Sequence, residues 1–370
     1  MMWISRVLKD QVAFTENSTA EIELDESGLL SGLFVQVANK TNASLTAATK
    51  KHILEHITKV EVIGDGSKVI ASMTGIEAAA FFTHAHGKMP PMHLREGLSQ
   101  YTYETIPLFF GRYFKDKDYM LDLSKFNTVT LKVTNDCNST DWTAGEFKMT
   151  VVEILAKDYR GTPKGYFKRS EQKYWTTSAS ATEITELPSM NLIESVLLIG
   201  DPSVTTTQGA DDNSPFNYVR NVKFYTKNGD RIICDELGRH LMYTNALEHG
   251  SNFTTSGLAY MNTAQGFQTY LGYHSINMVA AGASMTIIPY PALPSDDPAR
   301  VAYTKDASNN YVSWMSQGLN PYNSFMITFD EKHDTMDLLD SVAEEPVTVS
   351  VLSNTASGTV RLAISELVVQ

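Results

Sequence analysis

The sequence repeats a spaced pattern of residues after 163 positions, and this repeat limits the folds that the chain can adopt. The recurring pairs are Gly66 and Gly229, Ile70 and Ile233, Gly75 and Gly238, His86 and His249, and Gly87 and Gly250. The stretches VEVIGDGSKVI, from Val60, and VKFYTKNGDRII, from Val222, both alternate apolar and polar residues around a turn that contains glycine. Each stretch predicts the same β-hairpin, and the ordered set of pairs predicts a duplicated domain.

A second set of residues recurs after 216 positions, in the same order along both halves of the chain. These pairs are Phe109 and Phe325, Asp118 and Asp334, Met120 and Met336, and Leu123 and Leu339. Each half then closes on a similar strand, with Glu153 aligned on Glu366. The two offsets differ by 53 residues, which predicts an insertion of that size within residues 251–324 of the second half. A loop of this length inside a compact domain is usually functional.

Short alternating runs separated by turn residues indicate a mostly β-stranded fold of two tandem β-sandwiches. Each half also contains one predicted helix, IEAAAFFTHAH before Gly87 and RHLMYTNALEH before Gly250. A glycine commonly ends a helix because it adopts the left-handed conformation without strain. The predicted domain boundaries are an N-terminal extension at 1–14, a first sandwich at 15–157, a linker at 158–181 and a second sandwich at 182–370.

The composition limits the class of protein. The net charge of −12 argues against a protein that coats nucleic acid. The sequence contains no run of 18 apolar residues that could span a membrane, and its N-terminus lacks the apolar region of a secretory signal peptide. The two cysteines, Cys137 and Cys234, exclude a disulfide framework but leave one pairing open.

His84 and His86 raise the question of a metal site because ligands often lie one residue apart on a strand. A cupin-type site, which would make the chain an enzyme, also needs a glutamate four or five residues further on, and Pro90 and Pro91 stand there. The residue that corresponds to His84 in the second half is Leu247, so the histidine pair is not repeated. Nearby polar residues that do not fit the spacing are His93 and Glu96. We therefore predict no metal at this pair and no cofactor.

The repeated His-Gly pair has a structural explanation. His86 and His249 fall in the last turn of the two predicted helices, where a histidine can bond the final carbonyls and favour the negative end of the dipole. Because the sequence also lacks a nucleophile elbow, a phosphate-binding glycine loop and a paired cysteine motif, it predicts no catalytic residues.

Two charged segments are further candidates for a binding site. The acidic run at residues 330–340 lacks the spacing and glycine of a calcium loop, which favours a solvated, partly buried turn. Residues 157–175 interleave basic and aromatic side chains, an arrangement that can bind nucleic acid. The basic residues are Lys157, Arg160, Lys164, Lys168, Arg169 and Lys173. Because the segment lies where the first half ends, a packed interdomain linker is the favoured interpretation.

Three stretches resemble the double jelly-roll major capsid proteins of tailless icosahedral viruses, the PRD1-adenovirus-like lineage. STAEIELDESGLLSGLFVQV resembles the opening strands of that family, and ITKVEVIGDGSKVIASMTG resembles its hairpin leading to a helix. PLFFGRYFKDKDYMLDLSKFNTVTLKV resembles its strand pair around an aromatic-Asp-Leu sequence. The resemblance covers residues 15–370, and no single motif in it is diagnostic. It implies an all-β fold of two tandem eight-stranded jelly rolls, each with a short helix, and an outward tower built from the second-half insertion.

The resemblance also implies a function. A trimer of such chains presents six similar sandwiches, approximates a hexagon and can tile an icosahedral shell. The implied partners are the chain itself, neighbouring capsomers, penton and minor capsid proteins and an internal membrane, with no sequence-specific nucleic-acid binding. The implied location is the virion, after assembly in the host cytoplasm. A carbohydrate-binding sandwich, a spike or an adhesin stays open as the alternative.

The first 14 residues carry apolar side chains at helical spacing: Ile4, Val7, Leu8 and Val12. We expect a short amphipathic helix at the base of the capsomer, facing an internal membrane or a neighbouring capsomer. The alternative is a frayed terminus.

Overall fold

The fold is built from two halves with the same order of strands. The computed structural model describes residues 1–25, 27–40, 52–96, 100–137, 142–201, 215–249, 253–260, 265–267, 276–278, 288–290, 300–305, 311–330, 332–333 and 335–369.

The described part of the first half contains ten strands and two α-helices. The strands are β1 (Met2–Ala13), β2 (Thr19–Glu23), β3 (Leu29–Lys40), β4 (Ile57–Gly64), β5 (Lys68–Met73), β6 (Met92–Glu96), β7 (Tyr101–Phe109), β8 (Leu121–Asp122), β9 (Val129–Asn135) and β10 (Lys148–Lys157). The helices are α1 (Ile53–His56) and α2 (Gly75–His86).

The second half contains the remaining described elements. The strands are β11 (Tyr166–Thr176), β12 (Ala181–Glu186), β13 (Leu192–Asp201), β14 (Asn221–Thr226), β15 (Arg231–Leu237), β16 (Phe253–Tyr260), β17 (Gln265–Phe267), β18 (Ile276–Met278), β19 (Ile288–Tyr290), β20 (Arg300–Lys305), β21 (Tyr311–Gly318), β22 (Ser324–Thr328), β23 (Leu339–Asp340), β24 (Val347–Ser353) and β25 (Thr359–Val368). The helices are α3 (Pro215–Tyr218) and α4 (Gly238–Glu248).

The sheet order confirms the duplication. In the first half, β1-β10-β3-β7 form one layer and β2-β9-β4-β5 the other; in the second half, β11-β25-β13-β22 and β12-β24-β14-β15 repeat them. The points at which the strand register shifts by one extra residue are repeated as well. Ser31 is the extra residue where β3 pairs with β10, and Glu194 is the extra residue where β13 pairs with β25. An all-β fold of two tandem sandwiches is therefore confirmed.

The two cores follow from the alternation of side chains. Along β9 every second residue is buried, as expected for a strand with one face on the core. The first core extends into the second half, since it includes Leu197, Met326 and Ala363. A separate core, which contains Val222, Phe224 and other residues, fills the second sandwich. The halves are thus joined through apolar packing as well as through the chain.

Helix α2 begins and ends where the sequence indicates. Thr74 caps its N-terminus in a capping box with Glu77, and the cap residue at its C-terminus is Gly87, with a φ of 65°. The His86 ring nitrogen Nδ1 hydrogen-bonds the carbonyl of Phe82, which confirms the predicted last-turn role. His249 differs, because its Nε2 lies 3.0 Å from the Thr328 hydroxyl instead.

Several local predictions are wrong. Residues 2–13 form β1, which pairs with β10, so the helical spacing of Ile4, Val7, Leu8 and Val12 does not produce a helix. The aligned glutamates are out of register as well, since Glu153 corresponds in strand pairing to Ile364.

The predicted linker and insertion also contain strands. Strand β11 lies within the linker at 158–181, and its Tyr166 and Phe167 are buried, as a packed segment requires. The insertion at 251–324 lies partly outside the described residues. Its strand β16 pairs in parallel with β6, so the insertion extends a sheet of the first half.

Candidate functional site

A group of buried and half-buried polar residues lies where the two halves meet. We name it the junction cluster and define it as Arg169, Glu194, Asp330, His333, His84 and His249. Strands β11 and β13 supply the first two residues, helices α2 and α4 lead to His84 and His249, and the segment after β22 supplies Asp330 and His333. These elements border a cavity of about 30 Å³, which has room for a water molecule or a small ion.

Arg169 links both halves through its guanidinium group. Its Nη1 donates to the carbonyl of Phe109, and its Nη2 donates to the carbonyl of Gly111 at 3.1 Å. The same Nη2 lies 3.3 Å from Glu194 Oε2. The guanidinium carbon also lies 3.7 Å from the centre of the Phe109 ring, a cation–π arrangement. Arg169 is therefore a buried cation with polar and aromatic partners at the end of β7.

Burial changes the titration of this pair. It lowers the pKa of Arg169 to about 10, and Glu194 opposes that change, so the guanidinium stays charged at neutral pH. Burial also raises the pKa of the Glu194 carboxyl, while Arg169 and a hydrogen bond from the Ser365 hydroxyl act in the opposite direction. Burial has the larger effect, so the pKa of the Glu194 carboxyl lies above its usual value.

His84 and His249 lie side by side in this cluster. Their rings are 5.3 Å apart between centroids and nearly perpendicular. The Ser324 hydroxyl donates to the carbonyl of Pro321, so His84 Nε2 donates to Ser324 at 2.8 Å. Burial lowers the pKa of both histidines, to about 4 for His249, which keeps both rings neutral at neutral pH.

An acid-histidine group occupies the other side of the cavity. One ligand atom from each of Glu194, Asp330 and His333 lies within 4.8 Å of the other two. Asp330 is fully buried, and its Oδ1 accepts a hydrogen bond from the peptide N–H of Thr335 at 3.2 Å. Two carboxylates and an imidazole are ligand types that divalent metals accept, but Arg169 already supplies a positive charge beside Glu194. Glu194 is therefore already engaged in an ion pair with Arg169.

His84 and His86 bind different partners on different sides of α2. They lie two residues apart on a helix, so they point to different sides of it. His84 contacts Ser324, whereas His86 Nδ1 faces the Phe82 carbonyl and its Nε2 accepts from the peptide N–H of Phe114 at 3.1 Å. This geometry does not converge on a shared ion.

Several basic residues of the segment 157–175 have partners within the chain. Within residues 157–175, Lys168 lies 3.4 Å from Glu366, and Lys173 pairs with Glu183. Those contacts favour the packed-segment interpretation over a nucleic-acid groove. Cys137 and Cys234, both in the described part of the chain, are not joined by a disulfide. No helix in the described ranges is long and apolar enough to cross a membrane.

Solved structures share the overall fold over the full length of the chain. The STIV MCP, from Sulfolobus turreted icosahedral virus, is 10% identical, with a TM-score of 0.61 and coverage of 100% of this chain and 97% of that chain. The major capsid protein P2 of bacteriophage PM2 is 10% identical, with a TM-score of 0.55 and coverage of 100% and 99%. The chain has the double jelly-roll fold. A third structure, the PBCV-1 virus capsid, is 10% identical, with a TM-score of 0.54 and coverage of 99% and 93%. No protein-family model and no curated protein matches the sequence.

Most residues of the junction cluster cannot be recognised from the sequence of this double jelly-roll chain. Arg169 was one basic residue among six, and Asp330 and His333 belonged to a run interpreted as a turn. Glu194 can be recognised as unusual from the sequence, because it is a lone charge in the apolar stretch LIESVLLIG. A charge inside a buried strand needs a buried partner, and only the fold identifies Arg169 as that partner.

Proposed function

We propose that the chain is a major capsid protein that forms a homotrimeric, pseudo-hexameric capsomer of an icosahedral viral shell. The observation that carries this proposal is the full-length double jelly-roll fold shared with the capsid proteins of Sulfolobus turreted icosahedral virus and bacteriophage PM2.

The internal repeat supplies a physical reason. Three chains, each with two sandwiches of the same strand order, present six similar bodies around one axis. Such a trimer packs like a hexagon, while each chain still makes contacts of its own at its two halves. Building a shell requires complementary surfaces and no reacting group, so we propose that the chain is not an enzyme.

The proposed partners follow from this role. They are further copies of the chain in the trimer and in neighbouring capsomers, together with penton and minor capsid proteins. An internal membrane beneath the shell and assembly in the host cytoplasm belong to the same proposal. The acidic net charge of −12 supports packaging without sequence-specific contact to nucleic acid.

Native mass determination followed by electron microscopy tests the proposal. We expect a particle of three times the 41.0 kDa chain mass, and hexagonal capsomers or closed shells on the grids. A protein that stays monomeric under all assembly conditions and binds glycans would instead establish the carbohydrate-binding or adhesin alternative.

A further inference from the structure

The two halves of one chain meet through a pair of parallel strands. Strand β5, at the end of the β2-β9-β4-β5 layer, pairs with β11, the first strand of the second half. In this register Arg169 is opposite Ala71 and Ser170 is opposite Ser72. The contact joins a sheet of one sandwich to a sheet of the next.

The duplication identifies the counterpart of each strand in that contact. Leu8 is the first of two extra residues where β1 pairs with β10, and Gln172 is the extra residue where β11 pairs with β25. This aligns β1 with β11 and places Ser5 and Arg6 at the positions of Arg169 and Ser170.

The second strand of the contact is identified in the same way. Ile70 is the extra residue where β5 pairs with β4, and Ile233 is the extra residue where β15 pairs with β14. Strand β15 is therefore the counterpart of β5. Cys234 and Asp235 take the positions of Ala71 and Ser72.

These counterparts have open edges in the single chain. Among the described strands, β1 pairs only with β10 and β15 pairs only with β14, each at the end of its sheet. An edge strand presents a row of backbone N–H and C=O groups and is a template for pairing with another chain. In the first half the same type of edge, on β5, is covered by β11.

We propose that β15 of one copy pairs in parallel with β1 of the next copy, head to tail, as β5 pairs with β11 within the chain. This inference rests on the proposed trimer and names the surfaces that form it. A head-to-tail contact is heterologous, so it makes a ring when the rotation closes. Three chains joined in this way form a ring of six sandwiches. Contacts within a chain alternate around this ring with contacts between chains, and both kinds of contact use equivalent strands.

The side chains on the two edges are complementary. The register places Arg6 opposite Asp235, a cation facing an anion. Arg6 already contacts Asp25 and Glu153 within its own chain, yet its side chain is still 45% exposed to solvent. The same strands expose the apolar residues Val7, at 56%, and Ile232, at 53%. Exposed apolar side chains on open edges favour burial against a partner.

The two contacts also differ in their buried charges. Arg169 and Glu194 form a buried ion pair at the covalent junction, but their counterparts in the first half are Ser5 and Ser31. The contact between copies therefore lacks that ion pair. We expect it to separate under milder conditions than those that unfold the chain.

Cysteine crosslinking tests the pairing in the full chain. The variant Ser5→Cys/Asp235→Cys, in a Cys234→Ser background, places a thiol on each open edge at positions that are exposed in the single chain. A short bis-maleimide should give linked dimers and trimers on a denaturing gel. Each single variant alone should stay unlinked, whereas a mixture of the two single variants should give linked dimers. The matched control is Ser5→Cys/Thr182→Cys, because Thr182 lies on β12 at the opposite edge of the same sheet.

Charge reversal provides a second test that does not depend on crosslinking. Asp235→Arg puts two cations opposite each other and should weaken trimer association by roughly tenfold or more. Asp230→Arg, an exposed position in the turn of the same hairpin, should leave association unchanged.

The outcomes separate the two proposals. A trimer by native mass that links equally well through Thr182, or that links with Ser5→Cys alone, overturns the β1–β15 pairing and leaves the capsomer intact. A protein that stays monomeric in every condition overturns the trimer itself and this inference with it.

Discussion

Arg169 and Glu194 form a buried ion pair between β11 and β13, with 3.3 Å between Nη2 and Oε2. The side chains are 4% and 8% exposed, so neither charge can be compensated by bulk water. Because Arg169 also donates to the carbonyls of Phe109 and Gly111, the pair fixes the second half against the end of β7. It therefore orients the two sandwiches of one chain.

Removing one member of this pair should be costly. Arg169→Ala leaves Glu194 as a buried carboxylate without its cation, and we expect unfolding to become easier by about 3–5 kcal/mol. Urea unfolding of the purified chain, followed by tryptophan fluorescence, measures this change. The control is Lys132→Ala, which breaks the exposed pair with Glu21 and should cost about 1 kcal/mol or less.

The double variant Arg169→Met/Glu194→Met distinguishes charge pairing from packing. Replacing both charges by apolar side chains removes the need for compensation, so it should recover much of the loss. A double variant as unstable as Arg169→Ala would show instead that the carbonyl contacts of the guanidinium dominate.

Stability should fall in acid through His86. Burial lowers the pKa of His86 to about 4, from an ordinary value near 6.5, so between these pH values the unfolded chain binds a proton that the folded chain does not. Its contribution is fully present above pH 6.5 and is lost as the pH falls through about 4. Protonation would also remove the acceptor of the Phe114 N–H.

The variant His86→Gln isolates this contribution. Between pH 4.5 and 6.5, the slope of unfolding free energy against pH should decrease by about 1 kcal/mol per pH unit relative to the parent. His240→Gln, at an exposed position on α4, is the matched control and should keep the parental slope. An unchanged slope in His86→Gln would contradict the assignment.

The fold was largely predictable because duplication leaves a trace in spacing. Gly66 and Gly229 mark equivalent hairpins, and no knowledge of packing is needed to align them. The N-terminal strand was missed for a physical reason. Residues 2–13 contain two extra residues relative to β10, and these irregularities disturb the alternation from which a strand is recognised.

Thr74 should stabilise the chain through the capping box of α2. Its hydroxyl accepts from the Glu77 N–H at 3.2 Å, so Thr74→Ala should lower the unfolding free energy by about 1 kcal/mol. Thr74→Ser retains the acceptor and should lose much less. Differential scanning fluorimetry of both variants compares them, and equal losses would assign the effect to the buried methyl group.

Metal analysis tests the prediction that His84 and His86 hold no ion. Because the two rings point to different sides of α2 and each has a polar partner, purified protein should contain no stoichiometric zinc, iron or manganese at this pair. A bound metal that disappears in His84→Ala would refute the prediction. A metal that survives His84→Ala but is lost in Asp330→Asn would place it at Glu194, Asp330 and His333 instead.

The junction cluster was much less predictable than the fold. Arg169 and Glu194 are 25 residues apart, while His84 and Ser324 are 240 apart. Such contacts depend on how the two sandwiches are placed, which local patterning does not encode. Of the Arg169–Glu194 pair, the sequence marks only Glu194, as an isolated charge in an apolar stretch.

Limited proteolysis of intact shells tests the placement of the second-half insertion. Its first strand, β16, is held between β6 and β21, so the base of the insertion is anchored on the first half. The first half has no equivalent of the added residues, which are therefore not needed to build a sandwich. Residues 261–310 also carry the turn-forming Pro291, Pro294 and Pro298. We expect this part to form an outer tower, because the outside of a shell accommodates bulk more easily than the inside.

Trypsin or chymotrypsin should therefore cut intact shells first within residues 261–310, before either sandwich is cleaved, and mass spectrometry of the fragments locates the cuts. Opened shells serve as the control, since they expose both surfaces. If residues 261–310 are protected on intact shells and cut only after opening, the insertion faces inward. Protection in both preparations would mean that the insertion is packed against its own sandwiches and is not a tower.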